Sequence, residues 1–322
     1  MGGLLEPDII SMSINMKIFL ISPNLDTFFS EEQLNLLKGA GELVIHQKIT
    51  PFDQIEGLMS GSDERILAID PDFCDWKVPN EVIDKIPNLK AIVLQTTSFS
   101  WIDVDHAKSE GIPVVNLRGF SSIAVAEWAS MVSMNLARKI PVVVQDGWKQ
   151  DYTKHQGIEL RGKRAGIVGL GNIGTTMAEN LSGLGMKVQY WSRYSTDERF
   201  EKVDLKTLMS TSDLILPAVA QNEETNGLIT DEMLKSLKSS AIFVSIVHHV
   251  YNHELLLKMA QEGKIYGYGF ETSKPEFGNY KGNVWAGPEL AWCTEDSLRK
   301  NTKMWVEEIT RAVKGDYRNQ VN

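Results

Sequence analysis

The run "GIVGLGNIGTTMAENLSGLG", residues 166–185, constrains this chain more than any other. A short apolar stretch leads straight into Gly169-Leu170-Gly171-Asn172-Ile173-Gly174, and a helical pattern follows. The three glycines have separate tasks. Gly169 permits a tight turn, Gly171 lets backbone approach a pyrophosphate, and Gly174 lets helix and strand pack closely. The free N–H groups and dipole of the helix start favour an anion there. A Gly-x-Gly-x-x-Gly string alone is weak; with a strand before it, a helix after it and a second strand at the right distance it is strong. A glycine-rich turn that holds no ligand is the competing reading.

The rest of the chain repeats the same alternation. "KIFLIS", "ELVIHQ", "RILAID", "LKAIVLQT" and "IPVVNL" are short runs rich in Ile, Leu and Val, with helical stretches between them. Such runs read as buried parallel strands of βαβ units. A long helix, "SSIAVAEWASMVSMNLARKI", interrupts the series, and a second series runs from "RAGIVGLG" to "NVWAG". The expected architecture is α/β, with two Rossmann-like doubly wound parallel-sheet domains and an interdomain cleft. Residues 1–115 plus 296–322 form a flavodoxin-like substrate domain, and 116–295 form the dinucleotide-binding domain. Residues 1–15 read as a tail or an upstream extension.

Composition excludes several classes. A formal net charge of -9 repels phosphate backbones, so nucleic acid is not an expected partner. No run is long and apolar enough for a bilayer, and the basic region of a signal peptide is missing from the start. Two cysteines, Cys74 and Cys293, make no disulfide framework and suit a reducing cytoplasm.

The end of the strand after the glycine loop selects the coenzyme. NAD sites place Asp or Glu there for the ribose hydroxyls. This chain reads "KVQYWSRYS", with Ser192 and Arg193 in that place. An arginine without a neighbouring carboxylate favours a 2'-phosphate, hence NADP(H) over NAD(H). An Arg193 that simply points to solvent is the alternative.

These residues resemble the D-isomer-specific 2-hydroxyacid dehydrogenases over nearly the whole chain. "WIDVDHAKSEGIPVVNLRG", "AVAEWA", "GKRAGIVGLGNIG", "ETNGLITDEMLKSLKSSAIFVS" and "NVWAGPELAWCTEDS" carry the likeness. The resemblance implies a small-molecule substrate, a homodimer built around the long helix, and coenzyme contacts from Gly169, Gly171, Asn172, Ile173, Gly174, Ser192, Arg193 and Glu271. It also implies three catalytic side chains: an Arg for the substrate carboxylate, a His that moves the proton, and a Glu that holds the His. A fixed cation and a proton donor are the minimum for reducing a 2-oxo acid.

This chain departs at all three. His248, in "SIVHHVYNHELL", falls where the family writes Arg, with Val247 as an alternative alignment. Lys274 precedes Pro275 where the family has Glu, and Glu289 follows Pro288 where the family has His. His248 and Glu289 are therefore the expected catalytic pair, an imidazole and a carboxylate with positions exchanged. His249 and His253 have i, i+4 spacing, but no third ligand lies nearby, so no metal is expected. The bland reading is that His248 and His249 fill the space of an Arg-Gly pair.

Such a pair can exchange a proton but cannot clamp a carboxylate as a guanidinium fork does. Losing that bond costs about 1.5–3 kcal/mol. A neutral or cationic carbonyl, imine or activated alkene is the expected substrate, rather than a simple 2-oxo acid. Ser98 and Trp101, in "QTTSFSWID", and Arg118, in "NLRGF", are candidate substrate contacts. Phe99, Trp101, Phe120 and Trp285 would make an apolar pocket or belong to the core. Two other readings stand beside this one: a silent NADP(H)-binding homologue, and an ordinary glyoxylate or hydroxypyruvate type of reductase in which Arg118 or another residue substitutes.

Overall fold

The computed structural model describes residues 16–273 and 280–322. The expected tail at residues 1–15 and the Lys274-Pro275 pair lie outside the described residues. The chain divides into two compact units, one running through Phe120 and resuming at Leu298–Asn322, the other Ser121–Ser297.

The first unit holds a five-stranded parallel sheet: β1 (Met16–Ile21), β2 (Glu42–His46), β3 (Glu64–Ile69), β4 (Leu89–Leu94) and β5 (Val114–Val115). Their order across the sheet is β2-β1-β3-β4-β5. Side chains alternate between its two faces, as a period of two requires. Phe19, Leu67 and Ile92 enter one core cluster, while Ile18, Ile66 and Ala91 enter the other. The last helix, Glu295–Val313, adds Trp305, Val306 and Ile309 to that second cluster. Trp305 is fully buried, and its indole N–H donates to the Val93 carbonyl at 3.1 Å.

The second unit holds seven parallel strands: β6 (Arg164–Val168), β7 (Lys187–Trp191), β8 (Glu201–Lys202), β9 (Leu214–Pro217), β10 (Ile242–Ser245), β11 (Gly267–Glu271) and β12 (Val284–Gly287). Their order is β12-β11-β10-β9-β6-β7-β8. Both faces are covered, so the central strands β9, β10 and β11 are buried along their whole length. The helices Ser122–Ala137 and Asn172–Gly183 pack with Ile167, Leu216 and Val244 on one face. Val168, Ile215 and Phe243 meet the helices Leu205–Thr211 and His253–Gln261 on the other.

The sequence pattern contains no sign of β8. It has two exposed residues, Glu201 and Lys202, paired only with Gln189 and Tyr190 of β7. An edge strand of this length carries neither alternation nor an apolar run.

The order of strands fixes where a ligand belongs. The chain runs from β6 outward to β7 and β8, then returns to β9 on the other side of β6. In open α/β sheets the crevice at such a switch point, outside the carboxyl ends of the strands, is the ligand site.

Candidate coenzyme and active site

The glycine loop stands at that switch point, directly after β6. Gly169 has φ +101°, a left-handed backbone that side chains with a Cβ rarely adopt. Its N–H donates to the Trp191 carbonyl at 2.8 Å, which ties the loop to the end of β7. Gly174 is required for space: a Cβ there would come within 2.0 Å of the Gly169 carbonyl oxygen. Gly171 differs. It caps the helix Asn172–Gly183, and a Cβ on it would meet nothing within 4 Å. Neighbouring protein therefore does not account for the absence of a side chain at Gly171. Open space in front of free helix N–H groups, Asn172 and Ile173 among them, fits a pyrophosphate.

The ends of five other strands of this sheet, β7, β9, β10, β11 and β12, carry the remaining candidates of the second unit. Ser192 and Arg193 follow β7. The Ser192 hydroxyl accepts the Ser195 N–H at 3.1 Å. The Arg193 guanidinium is bonded to the Glu224 carboxylate at 2.5 Å. Glu224 lies in the segment after β9, 31 residues away in sequence. Nothing local in "NEETNG" marks it as a neighbour of Arg193, so the sequence alone did not place a carboxylate at this corner.

The histidine cluster separates in two. Beyond β10 the chain makes a tight loop: Ser245 Oγ accepts the Val247 N–H at 3.2 Å and donates to the Val247 carbonyl at 2.9 Å. Val247 is buried and packs in the core, leaving His248 and His249 exposed. His249 has φ 59° where the family pattern writes glycine, and its carbonyl accepts the Gly227 N–H at 2.9 Å. His253 lies apart from both. The Asn252 side chain caps its helix by accepting the Leu255 N–H at 3.1 Å. The His253 ring sits 4.7 Å from that of Phe270, with Nδ1 2.7 Å from the Tyr268 hydroxyl. Tyr268 in turn bonds Tyr251 at 2.7 Å. Among the described residues, no group of three His, Cys, Asp or Glu is placed to hold a metal ion.

Glu271 ends β11 and is buried, at 8% exposure. Its Oε1 accepts the Ala291 N–H at 2.6 Å, gripping the turn after β12 that carries the exposed Glu289. Burial raises the Glu271 carboxyl above the ordinary glutamate value; the Ala291 and Leu290 N–H groups pull it back, and the nearby Glu289 charge raises it. Since β10, β11 and β12 are adjacent and parallel, His248, Glu271 and Glu289 all lie at one edge of this sheet.

The remaining candidates belong to the first unit. Trp101 is buried, with its indole N–H donating to the Ser98 carbonyl at 2.8 Å. Ser98 Oγ lies 3.3 Å from Ser100 Oγ. Arg118 is exposed and donates to Asn116 Oδ1 at 3.2 Å. Trp101 and Phe120 fall in core clusters on opposite faces of the sheet, and Phe99 is 39% exposed. Trp101 and Phe120 therefore serve the core and do not line one pocket.

A parallel sheet with a glycine-rich loop at its switch point defines a dinucleotide-binding fold of the Rossmann type. The profile of the D-isomer specific 2-hydroxyacid dehydrogenase NAD binding domain matches residues 130–294, and the chain belongs to that family. A hydroxypyruvate reductase of Thermotoga maritima is 33% identical over 248 residues, 72% of this chain and 80% of its own length. A glyoxylate reductase of Thermofilum pendens is 29% identical over 306 residues, 89% of each chain. Among solved structures, an acyclic imino acid reductase in complex with NADPH and D-Arg superposes with a TM-score of 0.81 at 25% identity. That match covers 95% of this chain and all of the other.

Proposed function

We propose that this chain is an NADP(H)-dependent reductase whose substrate is an imine, or a carbonyl or activated alkene, other than a simple 2-oxo acid. The observation that carries this reading is the pair at the carboxyl edge of the second sheet: His248 after β10 and Glu289 after β12. The family pattern has an arginine and a histidine there. The coenzyme, when bound, supplies the hydride. Gly169, Gly171, Gly174 and the N–H groups of Asn172 and Ile173 hold its pyrophosphate, and Ser192 and Arg193 receive the 2'-phosphate.

His248 then exchanges a proton with the substrate nitrogen or oxygen. Glu289 favours a cationic group and opposes an anionic one, which selects against a free carboxylate. Glu271 fixes the turn that presents Glu289. The solved imino acid reductase, in complex with NADPH and D-Arg, supports both the coenzyme and the imine branch. Ser98 and Arg118 are the substrate contacts proposed from the first unit, with Trp101 holding the Ser98 loop.

The chain is proposed to act as a homodimer. Ile123, Met131 and Met134 leave 50%, 39% and 43% of their surfaces exposed on the long helix Ser122–Ala137, which supports an apolar contact.

The test is a titration of NADPH into wild type, His248→Ala and Glu289→Ala, followed by turnover. The reading expects turnover to fall about a hundredfold or more, as loss of a general acid–base group does, with coenzyme affinity within twofold. Unchanged turnover in both variants contradicts it. Coenzyme binding without turnover of any carbonyl or imine favours a silent homologue.

A further inference from the structure

We propose that Glu224 is a coenzyme-specificity residue that competes with a 2'-phosphate for Arg193; this rests on the NADP(H) reading above. The geometry is local to the glycine loop. In the sheet β6 lies between β7 and β9, so the segments after those two strands flank the loop. On one side Trp191 accepts the Gly169 N–H, two residues before Arg193. On the other, Val219 and Ala218 lie so close to Gly169 that a Cβ there would meet them at 2.7 and 2.9 Å. That second segment leads to Glu224.

The turn carrying Glu224 is braced. Thr225 Oγ1 donates to the Ala220 carbonyl at 2.7 Å, Asn222 Oδ1 accepts the Thr225 N–H at 3.2 Å, and Gly227 is tied to His249. Its carboxylate is thus presented across the loop to Arg193, and the pair is half open to solvent, with the side chains 39% and 66% exposed.

A 2'-phosphate and the Glu224 carboxylate require the same guanidinium. The phosphate carries about 1.5 to 2 negative charges at neutral pH and forms the stronger charge-assisted bond. It takes Arg193, but against a carboxylate held beside it. NADH lacks the group and gains nothing from Arg193. Glu224 therefore narrows the preference that Arg193 creates. The sequence places no acidic residue at the end of β7, and the fold supplies one from the next loop but one.

The experiment measures dissociation constants for NADPH and NADH by fluorescence titration of wild type, Glu224→Gln, Arg193→Gln and the double variant. Both residues are on the surface, so thermal unfolding should be unchanged. Glu224→Gln should tighten NADPH roughly twofold to fivefold, the range of an exposed ion pair, and leave NADH unaltered. In the Arg193→Gln background the same substitution should have no effect on the NADPH to NADH ratio, and the gain should shrink in high salt. An unchanged ratio in Glu224→Gln overturns the proposal while leaving the NADP(H) reading intact, provided Arg193→Gln still weakens NADPH. A selective loss of NADH in Glu224→Gln also overturns it and makes Glu224 a ligand of the ribose hydroxyls. If wild type prefers NADH and Arg193→Gln leaves the ratio alone, or neither coenzyme binds, the NADP(H) reading and the proposal fall together.

Discussion

The Oε1 atom of Glu271 accepts the Ala291 N–H at 2.6 Å, so the buried end of β11 holds the turn on which Glu289 stands. This bond is the link between the sheet and the candidate proton-handling edge. Its two parts, acceptor and charge, can be separated by substitution.

Glu271→Ala leaves a buried N–H without its partner, which costs about 1–3 kcal/mol. Glu271→Gln keeps an acceptor of the same shape and should lose less. The charge has its own signature. Burial raises the folded-state carboxyl above the ordinary glutamate value. The folded protein then holds this proton to higher pH than the unfolded chain, so stability falls as pH rises through the window between the two values. Thermal unfolding across mildly acidic to neutral pH should slope downward more steeply in wild type than in Glu271→Gln, which keeps the other buried carboxyls raised in the same direction, Asp70 and Glu308. An equal slope in both would remove the charge from the account.

The glycine loop predicts opposite results from one chemical change. Gly174→Ala places a Cβ against the Gly169 carbonyl oxygen and should destabilise the second unit. Gly171→Ala meets nothing within 4 Å, so unfolding should be unchanged while coenzyme binding weakens about tenfold or more. Parallel melts and titrations check both. Full coenzyme affinity in Gly171→Ala would mean that no pyrophosphate approaches there.

The two cysteines should differ in reactivity. Burial pushes the Cys74 thiol up to about 11, and its Sγ lies 3.5 Å from the Pro71 carbonyl. Cys293 is exposed. Since the thiolate is the reactive form, a disulfide reagent at mildly alkaline pH should label one thiol quickly, and peptide mapping should find it at Cys293. Fast labelling of Cys74 would show that its surroundings open.

The fold was legible because both faces of each sheet are covered. "LKAIVLQT" and "AIFVSIV" read as strands from apolar content alone, since their apolar residues are buried or half-buried and only Lys90, near the start of the first, is exposed to water. The glycine loop was legible because its task is written into consecutive residues. What the sequence did not reveal is contact between distant segments. Glu224 beside Arg193 and Ala291 on Glu271 depend on which loops the strand order brings together. The histidines show the same limit from the other side. His248 and His253 are close in sequence, yet one is exposed while the other packs against Tyr268 and Phe270.

The second unit's core and the first unit's core are separate, and the last helix serves the first. Trp305→Ala should cost about 3–5 kcal/mol through the cavity it leaves, and denaturant unfolding would detect it. A loss within 1 kcal/mol would mean that the helix is not packed as described.

The central claim is that an imidazole and a carboxylate at this edge have replaced the grip on a free 2-oxo carboxylate. The most direct measurement compares kcat/KM, by NADPH absorbance, for glyoxylate and hydroxypyruvate with that for imines formed from carboxylate-free aldehydes and a primary amine. The account predicts an imine value at least about tenfold higher, the loss expected when a charge-assisted carboxylate bond is absent. Glyoxylate or hydroxypyruvate reduced as fast as, or faster than, any imine would contradict it.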